Sequence, residues 1–237
     1  MSNHIAVFCK KELRSFFDSP IAYIVITVFL LISGWFFFSS LFLINQASMR
    51  NLFGIISLIF MFFVPAVTMR LISEEKRSGT IEILLTLPVK DYEIILGKFL
   101  AGLILIFVAV ILTLIYTLSL AGLGNLDFGS VVAGYLGLIF LGATYLSIGV
   151  FTSSLTQNQI VAFITSFVII FALYMLDKVL IFLPSFLSSF FEYLSVDYHF
   201  SNISRGVIDS RDVIYYLSLI FFFLFLAVRA LESRKWR

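Results

Sequence analysis

Long apolar runs separated by short polar clusters dominate the chain. Asp, Glu, Lys and Arg are absent from residues 21–49, 51–69, 99–126, 128–176 and 213–228. A helix of about 20 apolar residues crosses a hydrocarbon core about 30 Å thick. The run 128–176 is too long for one helix and carries a polar break at Thr152–Gln159, so it divides in two. The pattern predicts six spans, at 21–44, 52–72, 93–121, 131–152, 159–182 and 213–231. Helices satisfy their own backbone in lipid. The predicted class is therefore an all-α membrane protein, with residues 1–237 forming one transmembrane domain.

Shorter elements surround the spans. In residues 4–17, Ile5, Phe8, Leu13 and Phe16 recur at helical spacing, with Lys10, Lys11 and Arg14 on the other side. That pattern predicts an interfacial amphipathic helix in the headgroup layer of the membrane lipid; the alternative is an extension of the first span. Pro20 suits the first turn of that span, where its missing N–H costs little. Pro65, inside the second span, removes a backbone hydrogen bond and is expected to bend it. Gly134, Gly137, Gly142 and Gly149 share a broad face of the fourth span. Small residues let helices approach closely, within the subunit or across a dimer. Residues 183–212 are apolar but broken by Pro184, Ser188 and Ser189. They predict a re-entrant helical hairpin on the outer side, before the last span.

Composition narrows the function classes. The chain is 61% hydrophobic and 13% charged, with 29 Phe, which no soluble domain of this size can bury. A net charge of +2 gives no ground for a nucleic-acid partner. The single cysteine, Cys9, excludes an intramolecular disulfide and a cysteine-built metal site. No Ser/His/Asp or Cys/His set is present, and no G-x-x-x-x-G-K-[ST] phosphate loop. The expectation is no enzyme, no catalytic residue, no metal and no cofactor in this chain. Asp197, His199, Asp209 and Asp212 make only a weak metal set. They read better as a polar cap on the hairpin, with Arg205 and Arg211 as partners. Basic residues also orient the chain. One side of the six spans holds Lys10, Lys11, Arg14, Arg70, Lys76, Arg77, Lys90, Lys98, Arg229, Arg234, Lys235 and Arg237; the other holds Arg50, Lys178, Arg205 and Arg211. Both termini are expected in the cytoplasm.

The loop after the second span reads Ser73-Glu74-Glu75-Lys76-Arg77-Ser78-Gly79-Thr80-Ile81-Glu82-Ile83-Leu84-Leu85-Thr86-Leu87-Pro88. Gly79 can end one helix in the left-handed conformation. Thr80 can cap a new one, with Glu82 in its positive first turn. Pro88 limits that helix, and Asp91 can cap the third span. A two-turn helix at 80–87 results. Its apolar face, Ile81, Leu84 and Leu85, needs lipid or a protein groove.

Glu75, Gly79, Thr80, Glu82, Leu84, Leu85 and Pro88 fit the pattern E-x-x-x-G-T-x-E-x-L-L-x-x-P. That pattern resembles the cytoplasmic loop of type-2 ABC exporter permeases. Three passages are similar to the gliding motility-associated branch, itself similar to permeases of nitrous-oxide reductase maturation. These are Ser15–Ile21, Gly124–Ser130, and Asp197–Phe200 continued by Arg205–Asp209 and Arg211–Val213. The resemblance implies a permease subunit for export across a bacterial inner membrane. ATP and Mg would be bound by a separate cytoplasmic ABC ATPase. Helix 80–87 would be the coupling helix in an ATPase groove, with Glu74 beside it. A second permease copy or close relative is implied, and in the gliding branch an accessory subunit with an extracytoplasmic domain. An alternative is a mechanical or assembly subunit that transports nothing and passes ATPase motion to an extracytoplasmic partner.

Overall fold

The computed structural model describes residues 4–44, 48–81, 89–122, 126–179 and 191–233. The helices, in chain order, are α1 (His4–Asp18), α2 (Pro20–Ile44), α3 (Arg50–Thr68), α4 (Ser73–Arg77), α5 (Asp91–Leu112), α6 (Leu114–Ala121), α7 (Phe128–Leu155), α8 (Gln159–Val179), α9 (Val196–Ser204) and α10 (Ser210–Glu232). Six segments are long and apolar enough to cross a membrane: α2, α3 continued through α4, α5 with α6, α7, α8 and α10. These are the six spans expected from the charge-free runs. Among the described residues no strand occurs. The molecule is an all-α membrane protein.

Two boundaries differ from the sequence pattern. The third span is interrupted at Thr113, whose hydroxyl donates to the Val110 carbonyl at 2.6 Å. A side chain that bonds the preceding turn competes with the helical ladder. The expected cap at Asp91 is instead Glu93, whose carboxylate accepts the Lys90 N–H at 2.9 Å; Asp91 is the first residue of α5 and is buried.

Helix α7 is the axis of the bundle. Helices α3, α5, α8, α9 and α10 all pack on it, and most of its length is buried. Its glycines make this possible within the subunit. A Cβ on Gly134 would lie 2.1 Å from the Phe53 ring, and one on Gly149 would lie 2.0 Å from Thr68 Oγ1. The face expected to serve either intramolecular packing or a dimer is thus occupied by α3, α5 and α9 of the same chain. Phe29, Phe53 and Phe60 fill the space around it.

One end of the bundle gathers α1, α4, the start of α5 and the end of α7. The amphipathic helix α1 ends before Ser19 and is distinct from α2. Phe8 and Phe16 are buried, Leu13 is half-buried, and Lys10, Lys11 and Arg14 are exposed. The apolar face rests on α5 at Gly97, where a Cβ would meet Phe8 Cβ at 2.5 Å. At the opposite end α9 lies along α7. Gly206 sits against Ser130, while Phe200 and Ile203 sit against Gly137. Tyr216, stacked on Phe140, donates its hydroxyl to the Val196 carbonyl at 2.9 Å. Ten residues of α7, about 15 Å at 1.5 Å per residue, therefore separate the levels of Gly206 and Val196.

Candidate functional site: a buried ionic junction

The loop that follows α3 is fastened to the end of α7. Ser153 Oγ accepts the N–H groups of Ile72 and Ser73, each at 3.1 Å, and donates to the Met69 carbonyl at 3.1 Å. Lys76, buried, donates from Nζ to the Ser154 carbonyl. These contacts satisfy backbone groups that the turn at 69–72 leaves without helical partners. Helix α4 is one short turn, with Glu74 and Glu75 at its positive end and Lys76 and Arg77 at its negative end.

Glu75 faces inward from this turn onto Lys98. Lys98 Nζ lies 2.9 Å from Glu75 Oε1 and 2.6 Å from Glu12 Oε1. The side chains of Lys98, Glu12 and Glu75 are 1%, 13% and 15% exposed. Lys11 adds a second cation at 3.6 Å from Glu75, from the solvent side. Two acids and two bases thus balance, joining α1, α4 and α5. A lysine this buried needs partners, because an isolated ammonium in an apolar setting costs far more than a paired one. Glu75 Oε2 is buried without a hydrogen-bond partner. A cavity of about 280 Å³ opens beside the junction, lined among others by Arg70, Glu74, Ser78 and Thr80.

Gly79 follows at φ +73°, the left-handed conformation expected of it. A Cβ there would meet nothing within 4 Å, so the backbone angle alone selects glycine. Thr80 turns its hydroxyl back toward the preceding helix, 2.9 Å from Ser78 Oγ and 3.4 Å from the Glu75 carbonyl. Ile81 is buried. Glu82, Leu84, Leu85 and Pro88 of the expected coupling helix lie outside the described residues.

The structure brings Glu75, Thr80 and α1 together around one cavity. Glu74 instead pairs on the surface with Arg70 at 3.1 Å. Sequence reasoning missed Glu12 and Lys98. The available signal was a lysine placed against an apolar run at Gly97-Lys98-Phe99, which calls for a buried anion. Cys9 lies beside this junction on α1, and burial pushes its thiol above the usual range.

At the opposite end the expected acid–arginine pairing is corrected. Asp197 pairs with Lys178 at 2.8 Å, and Lys178 also meets Asp177 at 2.8 Å. Asp209 caps α10, accepting the Arg211 N–H at 3.0 Å. His199 Nδ1 lies 2.6 Å from Asp212 Oδ1, and its Nε2 donates to the Tyr193 carbonyl at 3.0 Å. The acids are taken by nearer partners, Asp212 by His199 in the interior and Asp197 by Lys178 at its half-exposed edge, and Arg205 and Arg211 are left exposed. Among the described residues no three His, Cys, Asp or Glu converge as metal ligands. The front half of the hairpin, 180–190, lies outside the described residues.

Six apolar spans, one of them central, with a fastened polar loop at one end, define a multi-pass membrane component. The match to the family described as ABC-2 family transporter protein extends over residues 45–230. The chain belongs to that family. It is a membrane permease subunit of an ABC transporter, and its partner is an ABC ATPase subunit. No curated protein matches the chain.

Proposed function

We propose that this permease exports its substrate across a bacterial inner membrane and receives ATPase motion through residues 73–88. The observation that carries the proposal is the buried junction: Lys98 holds Glu75 of the loop and Glu12 of α1 at 2.9 and 2.6 Å. A push on the loop then moves α1, α5 and, through Ser153 and Ser154, α7 as one body. An ATPase shifts the bundle only if its closed state binds one arrangement better than another. The exposed Arg77, Ser78 and Thr80 beside the junction, with the helix expected to follow them, offer the contacts for that difference. In this reading the junction end and both termini are cytoplasmic, in line with its excess of Lys and Arg. Two permeases pair with two ATPases in this reading, and the likeness of the three quoted passages to the gliding-associated branch supports a role there, with an extracytoplasmic accessory subunit.

The test uses the chain co-purified with its ATPase. A Cys9→Ala/Thr80→Cys variant should crosslink to the ATPase. Gly79→Pro, which cannot adopt φ +73°, should leave insertion intact while ATP hydrolysis loses its dependence on the permease. Crosslinks to no ATPase, or labelling of position 80 from outside the cell, would overturn the assignment. The mechanical alternative draws on α7 linking both ends; a reconstituted complex that hydrolyses ATP yet moves no lipid, polymer or protein favours it.

A further inference from the structure

A second cavity, of about 220 Å³, lies at the opposite end between α9 and the start of α10. Arg205, Arg211, Asn202, Tyr193 and Tyr198 line it. Its floor is rigid. His199 is held by Asp212 and the Tyr193 carbonyl, and its ring stacks on Tyr215 with centroids 4.0 Å apart. Asp212 Oδ2 is closed to solvent. Asp209, the remaining acid on the lining, is engaged at the positive end of α10 through the Arg211 N–H and the Ser210 hydroxyl. Neither arginine side chain has a carboxylate within 4 Å among the described residues. The groups open to a ligand are therefore two guanidinia, an amide and two phenols. That set fits a phosphate, which guanidinium binds through paired N–H donors.

The surroundings are apolar, unlike those of a site for a free ion. Val207 and Ile208, between the two arginines, are exposed. On α10 the face below Arg211 carries exposed Ile214, Leu217, Phe221 and Phe225. At 100° per residue these fall within about 120° of Arg211 and run down the span. Tyr193, Tyr198 and Tyr215 cluster at the same level, as aromatic residues do at a membrane–water interface. We infer that this cavity is a binding site for the phosphate of an anionic membrane lipid. Arg205 and Arg211 hold the headgroup, and the acyl chains lie along the apolar face of α10.

The experiment is native mass spectrometry of the full chain in detergent, with phosphatidylglycerol and phosphatidylcholine of identical acyl chains added together. The wild type should retain phosphatidylglycerol preferentially. Arg205→Gln/Arg211→Gln should lower that retention about tenfold, leaving phosphatidylcholine retention and the melting temperature unchanged, since two charge-assisted contacts are lost. Arg205→Lys/Arg211→Lys should fall between the two, because charge remains and the paired geometry does not. Arg50→Gln, an exposed cation elsewhere, should change nothing. Unchanged retention in the double Gln variant, or equal loss in Arg50→Gln, would overturn the site. Displacement by millimolar inorganic phosphate as effective as by phosphatidylglycerol would overturn the lipid assignment.

Discussion

Replacing Lys98 with Met isolates the energetics of the junction. At an effective dielectric of about 20, contacts of 2.6 and 2.9 Å each carry about 6 kcal/mol of gross attraction. Desolvating the three ions offsets most of this, so the intact cluster contributes little net stability. Removing only the cation is different. Met matches the alkyl stem, but the Glu12 and Glu75 carboxylates are left buried and facing one another. Breaking a buried pair costs about 3–5 kcal/mol, which corresponds to a fall of about 6–20 °C in melting temperature for a chain of this size. Lys98→Met/Glu12→Gln/Glu75→Gln removes the three buried charges, leaving only the solvent-exposed Lys11, and should regain most of the loss. The assay is thermal unfolding of the purified full-length chain in one detergent at low and high salt. The Lys98→Met deficit should persist at high salt, because buried charges are screened little. A Lys98→Met protein that melts with the wild type, or a triple variant below Lys98→Met, would refute the reasoning.

Two further outcomes follow from the packing. Gly149→Val should lose about 1–3 kcal/mol or more by driving a side chain into Thr68, while Gly54→Ala, with open space around its Cβ, should gain about 0.5–1 kcal/mol; thermal unfolding reads both. Cys9 should react slowly with a soluble maleimide near neutral pH, because burial raises its thiol and leaves little thiolate. Labelling should quicken as pH rises, and at fixed pH in Gly97→Leu, whose side chain collides with Phe8 and frees α1. The same raised thiol means that stability falls once pH passes the ordinary thiol value, where only the unfolded chain has released its proton.

The spans were legible because hydrocarbon tolerates no unpaired charge, so the charge-free runs map onto helices, the longest of them onto two. The left-handed turn at Gly79 and the separate α1 were legible for equally local reasons: a backbone angle and a 3.6-residue period. The junction was not. Glu12 and Lys98 are 86 positions apart, and nothing in either neighbourhood names the other. The hairpin acids illustrate the same limit. Their charges suggested the two nearby arginines, yet Lys178 faces Asp197 because α8 packs on α9, and His199 faces Asp212 because α9 packs on α10. Thr113 breaks the third span through a hydroxyl bond to its own preceding turn, which a hydropathy pattern does not register.

The central helix has one more implication. Its 28 residues form a rod about 42 Å long, gripped by the loop at Ser153 and Ser154 and by α9 near Ser130 and Gly137. A stiff shaft clamped at both extremities delivers displacement without delay or attenuation. Under the proposed coupling, a tilt applied at the loop would reach the α9 end in the same stroke, leaving little room for a half-thrown state in which one end has shifted and the other has stayed put.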